Sequence, residues 1–277
     1  MKQKTIFKTF ISRFLILILN FGLVIYSTNM WGSEGKGVIS VVIADLTIVS
    51  FFSNIFVGSS VTYFAPKYKT EQILAYAYLW SLLVGISIPV IFSITHHNSA
   101  YSGYLIALSV VSSLLAANIN LFVGQQKIKM FNLYTILQQA VHIAFLVVII
   151  YIARITAVTA YFIAQIGCFA TLFLVSSFQL LKNCRFSEIS FSKKIQNTLF
   201  DYGWKTQLSA FLQFLNNRLS FYFLEYFKGM VSVGIFSIGV AFSEAIWTVS
   251  RSLSIVLYSD VVNNKDSDIA IEKTKSH

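Results

Sequence analysis

The chain has 277 residues, a formal net charge of +10, 56% hydrophobic residues and only 12% charged ones. A soluble domain carries roughly 25% charged residues, so this composition cannot cover a water-exposed surface and excludes an ordinary soluble enzyme. The basic residues fall between apolar runs and not on one face, which points to a membrane topology and away from nucleic acid.

The N-terminus carries Lys2, Lys4 and Lys8 ahead of an apolar run. No small-x-small cleavage site follows, so this run reads as a retained first span and not a removed leader. A bilayer-crossing helix needs about 20 mostly apolar residues. Runs of that kind occur at 10–30, 38–64, 73–94, 103–124, 132–153, 156–181, 206–227 and 231–257. Strand-sized alternation is absent, and backbone in lipid must satisfy its own hydrogen bonds, so helices are expected. The fold class is therefore all-α integral membrane, with about eight transmembrane helices. A basic link separates spans six and seven, and the polar stretch "SDVVNNKDSDIAIEKTKSH" closes the chain.

The lysines and arginines sort by side. Lys2, Lys4, Lys8, Arg13, Lys67, Lys69, Lys127, Lys129, Lys182, Arg185, Lys193, Lys194, Lys205, Lys265, Lys273 and Lys275 share one side under this span count. Only Lys36, Arg154 and Lys228 fall on the other, and Arg218 and Arg251 lie within spans. Cytoplasmic loops carry the excess of basic residues, so both termini are expected in the cytoplasm. Cys168 and Cys184 have no disulfide or metal spacing and read as structural thiols. His96 and His97 have no third ligand nearby, so neither a metal nor any other cofactor is expected.

The stretch "WGSEGKGVIS", 31–40, superficially suggests a phosphate cradle. A nucleotide loop reads G-x-x-x-x-G-K-S/T after a strand. Here Gly35-Lys36 is followed by Gly37, and Met30 occupies the place of the first glycine. The stretch also falls on the non-cytoplasmic side. A shift of 197 residues explains it better, laying Gly32 on Gly229, Gly37 on Gly234 and Ser40 on Ser237. The same ungapped shift matches Lys8-Thr9 to Lys205-Thr206, Asn20 to Asn217, Ala44 to Ala241 and Ser53 to Ser250. These glycines read as turn glycines, which take positive φ at little cost, between spans one and two and again between seven and eight. Span seven thus restarts a six-helix unit. Both units start on the same side, which makes a parallel repeat of the kind transporters use.

The stretches "DYGWKTQLSAFLQFLNNRLSFYFLEYF" and "VGIFSIGVAFSEAIWTVSRSLSIVLYSDVVN" resemble the bacterial polysaccharide-export flippases, which move O-antigen or other repeat units. Those flippases belong to the multidrug/oligosaccharidyl-lipid/polysaccharide exporter superfamily. The resemblance implies two six-helix lobes around a central cavity, working by alternating access. It implies that the substrate is an undecaprenyl-diphosphate-linked oligosaccharide, flipped across the bacterial inner membrane for surface polysaccharide synthesis. Membrane lipid and polysaccharide-assembly proteins are the other implied partners. The eight spans correspond to one lobe, 1–181, a cytoplasmic linker, 182–204, the first two helices of a truncated second lobe, 205–258, and a polar cytoplasmic tail, 259–277.

Charges inside the membrane cost about 2.5–3.5 kcal/mol each on insertion scales, so they are candidate functional groups. Arg218 and Arg251 are candidates for the substrate, because a guanidinium fork suits the diphosphate that the resemblance implies. A structural pair between Arg218 and Glu244 is the competing reading. Asn217, Asn20 and Trp247 complete the cavity candidates, with helix bridging and packing as their plainer roles. Asp45, Glu244 and His142 are the ion-coupling candidates, because a carboxylate that loses water holds a proton more readily. Two other functions stay open. One is a multidrug or organic-ion exporter of the same superfamily. The other is a membrane glycosyl polymerase, which the short outer loops disfavour.

Overall fold

The computed structural model describes residues 3–95, 101–182 and 191–263, and the described residues form helices joined by short turns with no strand. The elements are α1 (Gln3–Val57), α2 (Ser59–Phe64), α3 (Thr70–Thr95), α4 (Ser102–Gly124), α5 (Ile128–Val147), α6 (Thr159–Leu181) and α7 (Lys193–Asn263). A π-helical turn, Val148–Ile152, extends α5. Six of the described helices are long and apolar enough to cross a membrane.

Two helices are too long to be single spans. At 1.5 Å per residue, the 55 residues of α1 would run about 82 Å and the 71 of α7 about 106 Å. The hydrocarbon core is only about 30 Å thick. Each helix is broken at a glycine, Gly32 at φ 65 and ψ −172 and Gly229 at φ 76 and ψ 175. That backbone region is essentially open only to glycine. The break reverses the chain, because Leu23 of the first arm of α1 shares a buried cluster with Ile39 and Val42 of the second. Each of α1 and α7 therefore holds two of the expected spans. The two breaks stand 197 residues apart, as the repeat requires.

Three buried apolar clusters hold the arms together. One joins Leu23, Ile39 and Val42 to Leu105, Leu146 and Phe162 near the Gly32 turn. A second, at the other end, gathers Ile55, Phe64, Leu74, Phe122, Tyr134 and Leu199. A small third cluster, Val41, Phe221 and Val233, joins α1 to α7. Many large apolar side chains remain on the outside, including Ile94, Ile152 and Phe178, as a lipid-facing surface demands.

The repeat is visible in how α1 and α7 cross. A Cβ on Gly37 would overlap the Met230 carbonyl oxygen, and one on Gly234 would overlap the Ser33 carbonyl oxygen. Met230 is Ser33 shifted by 197 and Gly234 is Gly37 shifted by 197, so each contact is the other's copy. Two contacts that exchange under the repeat flank a pseudo-two-fold axis. Gly37 and Gly234 are therefore not turn glycines as the sequence suggested. They sit within helix and let two backbones touch, and only Gly32 and Gly229 make the turns.

Two further differences follow from packing. Lys36, read as part of the turn, lies within helix just past Gly32 and is buried, and its repeat counterpart Val233 is buried in the α1–α7 core. Helix α7 starts at Lys193, inside the stretch read as a linker. Its first turns are held by the Ser60 hydroxyl, which donates to the Leu199 carbonyl at 2.9 Å, and by Tyr76, which donates to the Ser192 carbonyl at 3.0 Å.

Gly32→Ala, where space is open and only the backbone objects, is expected to lose about 1–3 kcal/mol. Gly37→Ala, at an ordinary helical φ, is expected to lose a similar amount through overlap with Met230. Gly239→Ala meets nothing within 4 Å and is expected to gain up to about 1 kcal/mol. Thermal unfolding of the three variants in detergent checks the order.

Candidate functional site

Of the polar groups that the sequence singled out, Asp45 lies at the α1–α7 boundary. Asp45 is on the second arm of α1, half-buried, and its Oδ1 accepts a hydrogen bond of 2.8 Å from the Tyr222 hydroxyl of α7. Asp45 also lines a cleft of about 50 Å³ with Val38, Pro89, Ser93, Tyr101 and Met230. That is room for a few waters. The cleft therefore brings a carboxylate, the hydroxyl-bearing side chains of Ser93, Tyr101 and Ser102, and the crossing residue Met230 to one place.

Tyr222 is one helical turn beyond Arg218, so the two positions share a face of α7. The backbone of Arg218 is helical, but its side chain lies outside the described residues, as do those of Asn217, Glu244 and Arg251. The Arg218–Glu244 pair considered from the sequence is thus not tested. Two rings occupy the related place across the axis. Phe21 packs on Phe242 with centroids 4.8 Å apart.

The remaining candidates are dispersed. Asn20 is exposed on the first arm of α1, and Trp247 is 65% exposed on α7. His142 is buried between α5 and α6, edge-on to Tyr161 at 4.8 Å, with a ring nitrogen 3.4 Å from the Tyr161 carbonyl oxygen. It packs inside the first six helices and does not line the cleft with Asp45. Trp31 is tied down more firmly than an interface tryptophan needs. Its indole N–H donates to the Thr156 carbonyl at 2.7 Å, pinning the Gly32 turn to the loop before α6. No group of three or more possible metal ligands occurs among the described residues.

Sequence reasoning missed two polar sites. One is Tyr222, whose only signal is its place four residues after Arg218. The other is Asn118, buried in α4. Its Nδ2 donates to the hydroxyls of Ser176 at 2.8 Å and Ser177 at 2.9 Å, and its Oδ1 accepts from the Tyr78 hydroxyl. One amide thereby ties α3, α4 and α6 together. A lone asparagine in an apolar run is the signal for such a tie.

No protein-family model matches the sequence, and the comparison with curated proteins finds no match. Solved structures do match in fold. One is a MOP-superfamily transporter from Pyrococcus furiosus, at a TM-score of 0.69 and 14% identity over 99% of this chain and 67% of that one. A second is an outward-facing multidrug resistance MATE-family transporter of the MOP superfamily, at 0.68 and 15%, covering 99% and 67%. A third is the MATE multidrug transporter DinF-BH, at 0.69 and 16%, covering 94% and 65%. At these identities the likeness is one of fold. The chain is an all-α, multi-pass membrane protein with the architecture of these transporters, and it spans about two thirds of their length.

Asn118→Leu is expected to lose about 1–3 kcal/mol, because it removes the partner of three hydroxyls in a buried place. Asn20→Leu, on the exposed face, is expected to change stability by no more than about 0.5 kcal/mol. Thermal unfolding in detergent checks both. Equal losses would make Asn20 a bridging residue after all.

Proposed function

We propose that this protein flips a lipid-linked oligosaccharide across a bacterial inner membrane, with both termini in the cytoplasm. The observation that carries the reading is the fold, which nearly the whole chain shares with MOP-superfamily transporters. The resemblance of 201–258 to polysaccharide-export flippases narrows the class. Chemistry supports the choice of substrate. Flipping a diphosphate-linked lipid requires an anion site in a low-dielectric path, and arginine provides the fixed fork of donors that two phosphate oxygens need. Arg218 and Arg251 both belong to α7, which packs against α1 along the repeat axis. Arg218 is assigned the diphosphate contact and Arg251 a second contact further along the same helix. Asp45 and Glu244 are assigned the coupling ion, and exposed Trp247 a sugar contact.

A second reading is export of drugs or organic ions. Two structural neighbours favour it, since both are multidrug transporters. The Pyrococcus furiosus transporter, by contrast, has a binding pocket of reversed polarity within the same superfamily. The fold therefore does not set the sign of the cargo, and the charges in the path must.

Complementation tests the proposal. The chain is expressed in a bacterium that lacks its repeat-unit flippase and has the matching sugar-assembly genes, with membrane insertion confirmed. Surface polysaccharide is expected to return, and Arg218→Ala is expected to reduce it at least about tenfold, the scale of a lost charge-assisted contact. No polysaccharide, together with raised resistance to organic cations, would move the conclusion to the exporter.

A further inference from the structure

Asp45 lies 13 residues past the Gly32 break, about 20 Å along its arm at 1.5 Å per residue, so its carboxylate is deep in the hydrocarbon. Packing does not ask for a charge there. The shift of 197 takes Asp45 to Phe242 and Ile25 to Tyr222, so the same positions of the other unit are apolar. Phe242 packs there on Phe21. A carboxylate at such depth is costly, and one that exchanges a proton needs water on at least one side.

The described residues leave one direction for that water. Toward α7, the Tyr222 hydroxyl covers Oδ1. Along the α1–α7 boundary toward the breaks, the backbone approaches of Gly37 to Met230 and of Gly234 to Ser33 close the space. Away from the breaks, Val49, Ser53 and Val57 follow Asp45 along α1 at one-turn steps, and all three are buried. A Cβ on Gly203 would overlap the Ile55 carbonyl oxygen, so α1 and α7 touch at that end as well. What remains is the cleft of about 50 Å³ that joins Asp45 to Ser93, Tyr101 and Ser102. Helix α3 ends at Thr95 and α4 begins at Ser102, so these hydroxyls stand at helix ends on the side of the Gly32 and Gly229 breaks. Ser93 and Ser102 are half-exposed.

We propose that this cleft is a water path through which Asp45 exchanges its proton with the solution on the side of the two breaks, and with that side alone. A hydronium gives its proton to the carboxylate and leaves as water. The cleft holds a few waters, and the three hydroxyls and the carboxylate are the polar partners that such waters need. Each hydroxyl both donates and accepts, so it relays a hydrogen bond from one water to the next. Tyr101 of α4 and Tyr222 of α7 are the titratable groups nearest the carboxylate, and Glu225 lies one turn beyond Tyr222. From α3 the cleft receives Pro89, Phe92 and Ser93, none of which titrates. The Arg218 side chain lies outside the described residues. Use of this proton to drive transport rests on the transporter reading, whereas the path itself does not.

The test is one-sided labelling in sealed native membrane vesicles of either orientation. Asp45→Cys is made in a chain whose Cys168 and Cys184 are replaced by serine, and a membrane-impermeant sulfonated thiosulfonate is added outside the vesicle. Only a hydrated thiolate reacts, so labelling is expected to be at least about tenfold faster from the side of the breaks than from the other side. Its rate is expected to rise with pH on the break side and to ignore pH on the other. Equal rates from both sides, labelling from the far side alone, or no labelling would overturn the path. Ser53→Cys, two turns deeper on the same arm, is expected to stay unlabelled. Filling the cleft with Ser93→Leu and Ser102→Leu is expected to bring the Asp45→Cys rate down to that of Ser53→Cys, and an unchanged rate would overturn the cleft as the route. A water-soluble carbodiimide on the unaltered chain needs no variant at Asp45. Mass spectrometry is expected to find Asp45 modified from the break side and not from the other, and the reverse would overturn the proposal. None of these readings needs export, so failure of the flippase reading would leave the path decided on its own.

Discussion

Two backbone carbonyls, on Ser33 and Met230, leave no room for a side chain at Gly234 and Gly37. The rest of the architecture depends on that close crossing. It lets α1 and α7 touch just past their breaks, and it places the repeat axis between them. Without it the arms of the two helices would stand a side chain further apart. The Tyr222 hydroxyl would then lie beyond hydrogen-bond reach of Asp45. The turns at Gly32 and Gly229 serve the same end, because each sends a helix back across the membrane in register with its copy.

A repeat that keeps its backbone contacts and changes its side chains is a way to build asymmetric chemistry on symmetric packing. The glycines, the turns and the burial of Lys36 and Val233 follow the two-fold plan. The Phe21–Phe242 pair and the Asp45 side depart from it. Where packing alone matters the copies stay alike, and where a charge or a ligand must be handled they diverge. The cleft beside Asp45 lies on the divergent side.

Much of this was legible in the sequence. Apolar run lengths gave the spans, and the shift of 197 gave the repeat, because both are properties of pattern and not of contact. The roles of Gly37 and Gly234 were not legible. A glycine that makes a turn and one that lets backbones touch look alike until the neighbour is known. The burial of Lys36 was hidden for a related reason, since counting charge by side is blind to which face of a helix a lysine occupies. The helical start at Lys193 was hidden because its polar turns are stabilised by Ser60 and Tyr76 from distant spans. Tyr222 was missed because a tyrosine among apolar residues reads as packing until a carboxylate is found opposite it.

The central claim is the two-fold relation between α1 and α7, and cross-linking measures it most directly. Cysteine pairs are placed at 21 and 242, and separately at 45 and 218, in a chain whose Cys168 and Cys184 are replaced by serine. Each is treated in native membranes with a short bis-maleimide. The account predicts that both pairs bridge with similar yield, because one is the image of the other. Bridging at 21 and 242 with none at 45 and 218 would contradict it.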